Sequence, residues 1–174
     1  MQPFHRKKDF GRVRNFLIET YNITKTYQNW IPSMFENMWR GPCGSAYEDE
    51  EDEQVKIWED DEKKASTSNI VAVTICKTRG DCRIFIHPEY RQLERRLVLW
   101  LEEQIQDLQK GQEEKQVLFY VSEWDSYRQD LLQNLGYQDK GPEEHERIRP
   151  LDLPIPEVRP PEGYVIRHVD VETE

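Results

Sequence analysis

The seven residues Ile70-Val71-Ala72-Val73-Thr74-Ile75-Cys76 show no polar alternation, and five of them are β-branched. β-Branched side chains favour extended backbone, and a strand that is apolar on both sides needs cover on both sides. A chain with such a run folds around an interior strand with layers packed above and below it. Turn chemistry follows at Thr78-Arg79-Gly80-Asp81, and Cys82 to Ile86 then returns as the hairpin partner. A shorter strand, Val55 to Glu59, precedes the run across the polar turn Asp60 to Asn69.

The flanking segments read as helices. Asp9 is placed to cap one whose apolar face is Phe10, Val13, Leu17 and Tyr21. A second spans Pro32 to Trp39, with Met34, Phe35, Met38 and Trp39 on its apolar side and Gly41-Pro42 as its stop. The longest runs from Arg91 to Gln109, where Leu93, Leu97, Leu101, Ile105 and Leu108 form one stripe widened by Trp100. Val117 to Val121 is another buried strand. A helix capped by Asp125 or Ser126 follows, with Leu131, Leu132 and Leu135 inward and Gly136 at its end. Short strands are expected at Gln2 to Arg6 and His145 to Leu151. The order β-α-α-β-β-β-α-β-α-β combines a three-strand meander with a βαβ crossover. It predicts an α/β fold: a mixed, mostly antiparallel sheet of six to seven strands with helices on both faces.

Composition narrows the partners. The chain has 174 residues, room for one sizeable core, and a mean hydropathy of −0.92. Lys and Arg number 24 against 34 Asp and Glu, a net charge of −10 that disfavours phosphate backbones and argues against nucleic acid. The six acids Glu48 to Glu53 repel one another and read as a solvated loop. No apolar run approaches the roughly 20 residues of a membrane span, and the first residues have no signal-type apolar segment. The expectation is a cytoplasmic protein without a membrane partner. Cys43, Cys76 and Cys82 have no metal-type spacing. Cys76 and Cys82 flank the hairpin turn and are read as reduced strand residues placed to face each other.

Three stretches, in order, resemble the GNAT superfamily of N-acetyltransferases. Ile84-Phe85-Ile86-His87-Pro88-Glu89-Tyr90-Arg91 is similar to that family's central strand running into its cofactor loop. Val117 to Val121 is similar to the strand that follows. Asp125 to Tyr137, ending Leu135-Gly136-Tyr137, resembles the helix closing on a Leu-Gly-aromatic signature. The likeness covers most of Met1 to Leu151 and implies an acyl-CoA N-acyltransferase-like domain at 1–152. Residues 153–161 are a Pro-rich linker. Pro160 to Arg167 looks like the first strand of another such domain, so 162–174 is read as the start of a second GNAT-like domain or as a C-terminal tail.

The resemblance implies acetyl-CoA as co-substrate, with the main chain of Ile84, Phe85 and Ile86 binding its pantetheine arm in a notch between two splayed parallel strands. The pyrophosphate would lie over Arg91-Gln92-Leu93-Glu94-Arg95-Arg96, where N–H groups at a helix start attract anions. Glu94 stands where the family has Gly, and Arg96 where it has Gly or Ala. Asp125 stands where an Asn commonly opens the later helix. Leu132 stands at the position of the family's thiolate-protonating Tyr, which leaves Tyr127 and Tyr120 as the nearby hydroxyls. Glu123 and His87, at the ends of the notch strands, are the candidate bases. Two functions follow. One is acyl-CoA-dependent N-acyl transfer to a small-molecule amine or peptide, with Tyr127 and Glu123 catalytic. The other is a non-catalytic GNAT module that supports a second domain, a homodimer mate or another partner.

Overall fold

The computed structural model describes residues 1–26, 28–40, 55–60, 69–77, 80–111, 115–142, 152–154, 157 and 159–167. It divides into two compact units, Met1–Gln138 and Asp139–Glu174. In the first, β1 (Gln2–Pro3) leads into α1 (Arg6–Thr24) and α2 (Pro32–Arg40). Then come β2 (Val55–Glu59), β3 (Ile70–Cys76) and β4 (Asp81–Ile86). A 3-10 helix (Pro88–Leu93) runs into α3 (Glu94–Leu108), followed by β5 (Leu118–Phe119) and α4 (Ser126–Asn134).

The sheet has the order β1-β2-β3-β4-β5, antiparallel throughout except for the parallel pair β4–β5. As the unbroken apolar run requires, all of β3 is buried. Val73 and Ile75 face one core with Val55, Ile57, Phe85 and the α1 residues Val13, Phe16 and Leu17. Ala72 and Cys76 face the other, with Cys82, Ile84, Ile86 and the α3 residues Leu97, Val98, Leu101 and Ile105. The result is an α/β domain with a five-strand mixed sheet and helices on both faces.

Several expectations change. Five strands are described rather than six or seven, and residues 143–151, where a further strand was expected, lie outside the described residues. So do Cys43, the acidic run and most of the Asp60 to Asn69 turn. The opening strand stops at Pro3, because α1 begins three residues before Asp9. Asp9 therefore acts inside the first turn, where its buried carboxylate accepts from the His5 N–H at 3.0 Å and from Arg12 at 2.7 Å. The buried stripe of α1 runs through Phe16 and Thr20, and Tyr21 is exposed. Met34 and Leu108 are also exposed, each at the edge of its apolar stripe. The long helix is preceded by 3-10 turns, so regular α geometry begins at Glu94. β5 has only two of the five residues expected at Val117 to Val121. In the second unit, no strand is found among the described residues of 162–167. Instead the Tyr164 N–H closes a turn onto the Pro161 carbonyl at 3.1 Å.

Candidate functional site

The parallel pair β4–β5 is short, and it leaves the end of β4 beyond the β5 ladder. The Lys77 N–H donates to the Asp81 carbonyl, and the His87 N–H to that of Val71. Hydrogen-bonded pairs alternate along an antiparallel ladder, so Asp81, Arg83 and Phe85 direct their main-chain groups at β3. Those of Cys82, Ile84 and Ile86 point toward β5. There the ladder opens with the Leu118 N–H on the Gly80 carbonyl at 2.9 Å, pairs Asp81 with Leu118 and Cys82 with Phe119, and stops. Ile84 and Ile86 thus lie past the end of that ladder, the place where the notch was expected.

The notch is furnished from within. The carboxamide of Asn29 donates to the Ile86 carbonyl and accepts from the Ile86 N–H, both at 3.0 Å. One side chain completes the hydrogen bonding that a neighbouring strand would supply. Arg83 lies between two aromatic rings, 4.8 Å from the centroid of Trp30 and 4.2 Å from that of Tyr120. Tyr120 in turn donates its hydroxyl to Asp81 at 2.8 Å.

α3 and α4 begin side by side, and a ring of alternating charges joins the start of α4 to that of α3 and to Arg91 just before it. The Glu94 side chain is 0% exposed. It accepts from Arg91 Nε at 3.0 Å on one oxygen and from Arg128 Nε at 2.9 Å on the other, which Arg128 Nη2 also meets. Arg91 Nη2 donates to Asp125 at 2.8 Å, and Asp125 caps α4 by accepting the Arg128 N–H at 3.2 Å. Burial alone would pull the Arg91 guanidinium down. Its bond to Asp125 and the charges of Glu94 and Asp125 outweigh that and hold it above its ordinary value. Two guanidinium groups meet two carboxylates, so the ring carries no net charge toward an anion.

The remaining candidates are dispersed. Gln92, Arg95 and Arg96 are exposed, and Leu93 is half-buried against the α3-side core. Tyr127 is exposed, its ring 4.8 Å from the Arg91 guanidinium and its hydroxyl donating to the Arg91 carbonyl at 3.2 Å. Glu123 lies exposed in the turn before α4, its carbonyl accepting from Gln129 at 2.8 Å. His87 is buried, accepts the Glu89 N–H at 3.3 Å and stands edge-on to Tyr90. Leu132 is packed in the core. The partners that sequence reasoning missed are Arg128 and Asn29. A trace of the first exists in the paired spacings Arg91-x-x-Glu94 and Asp125-x-x-Arg128, opposite charges one turn apart at two helix starts.

A shallow groove of about 510 Å³ lies elsewhere, lined by Glu102, Gln106, Lys115, Val117, Gly136 and Tyr137. No group of His, Cys, Asp and Glu among the described residues is arranged to hold a metal ion. No described helix is long and apolar enough to cross a membrane. Comparisons with protein-family models, with curated proteins and with solved structures each returned no match.

Proposed function

We propose that this domain is a non-catalytic, acyl-CoA N-acyltransferase-like module. Its role is to support a second domain or to bind a partner, as the GNAT resemblance implies for a module of this kind. The observation that carries this reading is the buried Glu94 carboxylate in the first turn of α3, bonded by Arg91 and Arg128. By the GNAT resemblance, that turn is where a pyrophosphate would rest. A carboxylate there repels a phosphate and consumes the two guanidinium groups that would otherwise attract one. The Asn29 carboxamide on both main-chain groups of Ile86 works in the same direction, because a pantetheine arm would compete for those groups. The likeness of Pro160 to Arg167 to the first strand of such a domain is one of sequence alone, since the described residues there close a turn.

One observation favours activity within this domain itself. Ile84 turns its main-chain N–H and carbonyl into the notch beyond the point where the β5 ladder stops. In that reading Asn29 is displaced when the cofactor enters. Calorimetric titration with acetyl-coenzyme A separates the two. The module reading expects no saturable heat, and the catalytic reading expects saturation near equimolar ratio.

A further inference from the structure

Cys76 ends β3 and Cys82 stands directly opposite it near the start of β4. The neighbouring pair Lys77–Asp81 is hydrogen-bonded, so Cys76–Cys82 is a non-hydrogen-bonded pair. Facing Cα atoms in such pairs lie about 4.5 Å apart, with the side chains leaning together. A disulfide closes over Cα separations of roughly 4.4 to 6.8 Å. Both thiols are free and buried in the α3-side core, beside Ala72, Ile84, Leu101 and Ile105. They are cross-strand neighbours within that one core cluster. The neighbouring Cys76 sulfur, helped by burial, pushes the Cys82 thiol up, while the Cys82 thiol beside it draws Cys76 down.

We propose that Cys76 and Cys82 form an oxidisable cross-strand dithiol, a disulfide-forming site at the mouth of the notch. Two S–H bonds break and one S–S bond forms. Two protons and two electrons pass to a peroxide, which leaves as two waters, or to a small-molecule disulfide, which leaves as two thiols. With a peroxide, Cys76 attacks as the thiolate and becomes a sulfenic acid. Cys82 then attacks that sulfur and expels water. The proximity of Cys82 intercepts the sulfenic acid before a second oxidant converts it to sulfinic acid. Cys82 is also the last β4 residue paired with β5, so the staple sits where the two notch strands part.

The test uses the full chain carrying Cys43→Ser, equilibrated in buffers of reduced and oxidised dithiothreitol from both the reduced and the oxidised starting state. Approach from both sides removes the slow access of buried thiols from the answer. The expected product is a monomer that has lost two hydrogens, with Cys76 and Cys82 joined in the peptide map. Its disulfide should be favoured roughly tenfold or more over the same disulfide in denaturant, the mark of thiols held together by the fold. Cys76→Ser and Cys82→Ser should each abolish it. If Cys43→Ser does not fold, the wild-type chain is used and the peptide map resolves which thiols pair. A native preference equal to or below that in denaturant, or oxidation to intermolecular dimers or sulfinic acid instead, would overturn the proposal.

Discussion

Arg128, in the first turn of α4, donates through Nε to the carboxylate of Glu94, in the first turn of α3, at 2.9 Å. Neither side chain reaches solvent to any extent, at 7% and 0% exposure. Buried pairs of this kind are costly to break and cheap to replace. Arg128→Met strands part of the Glu94 charge and should cost about 3–5 kcal/mol in urea unfolding. Glu94→Leu combined with Arg128→Met should return to within about 1–2 kcal/mol of the wild type. Strictly additive losses in the double variant would show that the two residues do not act as a pair.

The Asn29 carboxamide bonds in two directions at once, which makes its substitutions unequal. Asn29→Ala gives up both bonds to Ile86 and should cost about 1–3 kcal/mol. Asn29→Asp keeps an acceptor for the Ile86 N–H but sets an anionic oxygen against the Ile86 carbonyl. It should be the worse of the two near neutral pH and improve toward the alanine variant as the carboxyl protonates. Thermal unfolding at two pH values reads this, and an aspartate variant as stable as the wild type would contradict it.

The architecture was legible where one local pattern sufficed. The β-branched run identified β3, and the Gly80 turn identified its partner. The Leu97-Leu101-Ile105 spacing identified α3. The charge ring was not legible, because it joins residues 34 positions apart through two helix starts that only the fold sets side by side. The GNAT resemblance marked Glu94 as standing where that family has a glycine, and nothing in the sequence showed that Arg128 would meet it. Asn29 left no mark at all. A lone Asn between Gln28 and Trp30 looks like any loop residue until Ile86 is seen to need both of its polar ends. β5 proved short and only half-buried rather than buried, because an apolar run alone supplies neither a covering layer nor a partner edge. Beyond Phe119 no ladder to β4 continues.

Gly80 has a φ of +94°, and a Cβ there would stand 2.1 Å from the Gln116 carbonyl oxygen. Gly80→Ala therefore combines a backbone conformation costing about 1–3 kcal/mol with a collision against main chain. Since the Gly80 carbonyl also receives the Leu118 N–H, the damage should centre on the β4–β5 junction. Hydrogen exchange at Leu118 should accelerate far more than at Val73 in the middle of the sheet. Equal acceleration at both would mean that the turn serves the whole domain rather than this junction.

Tyr137 donates its hydroxyl to Glu102 at 2.6 Å. Burial first, and then this bond and the Glu102 charge, raise the phenol above its ordinary value of about 10. A raised folded-state value means that the folded protein holds this proton more tightly than the unfolded chain. The contribution is complete below about pH 10 and is lost as the pH rises further toward the folded-state value. Stability of the wild type should fall more steeply than that of Tyr137→Phe above that point, in urea unfolding followed across alkaline pH. Parallel curves would contradict the assignment.

In the proposed function, Glu94 fills with its own carboxylate the place where the GNAT resemblance puts a pyrophosphate. Calorimetric titration with acetyl-coenzyme A, run on the wild type and on Glu94→Gly with Arg96→Gly, tests it most directly. The substitutions place small residues at the start of α3 and remove the carboxylate that Arg91 and Arg128 meet there. A folded variant, checked by its urea transition, should bind acetyl-coenzyme A saturably while the wild type shows no saturable heat. Tight binding by the wild type, weakened by the same substitutions, would contradict the account and make the arginines a working phosphate site.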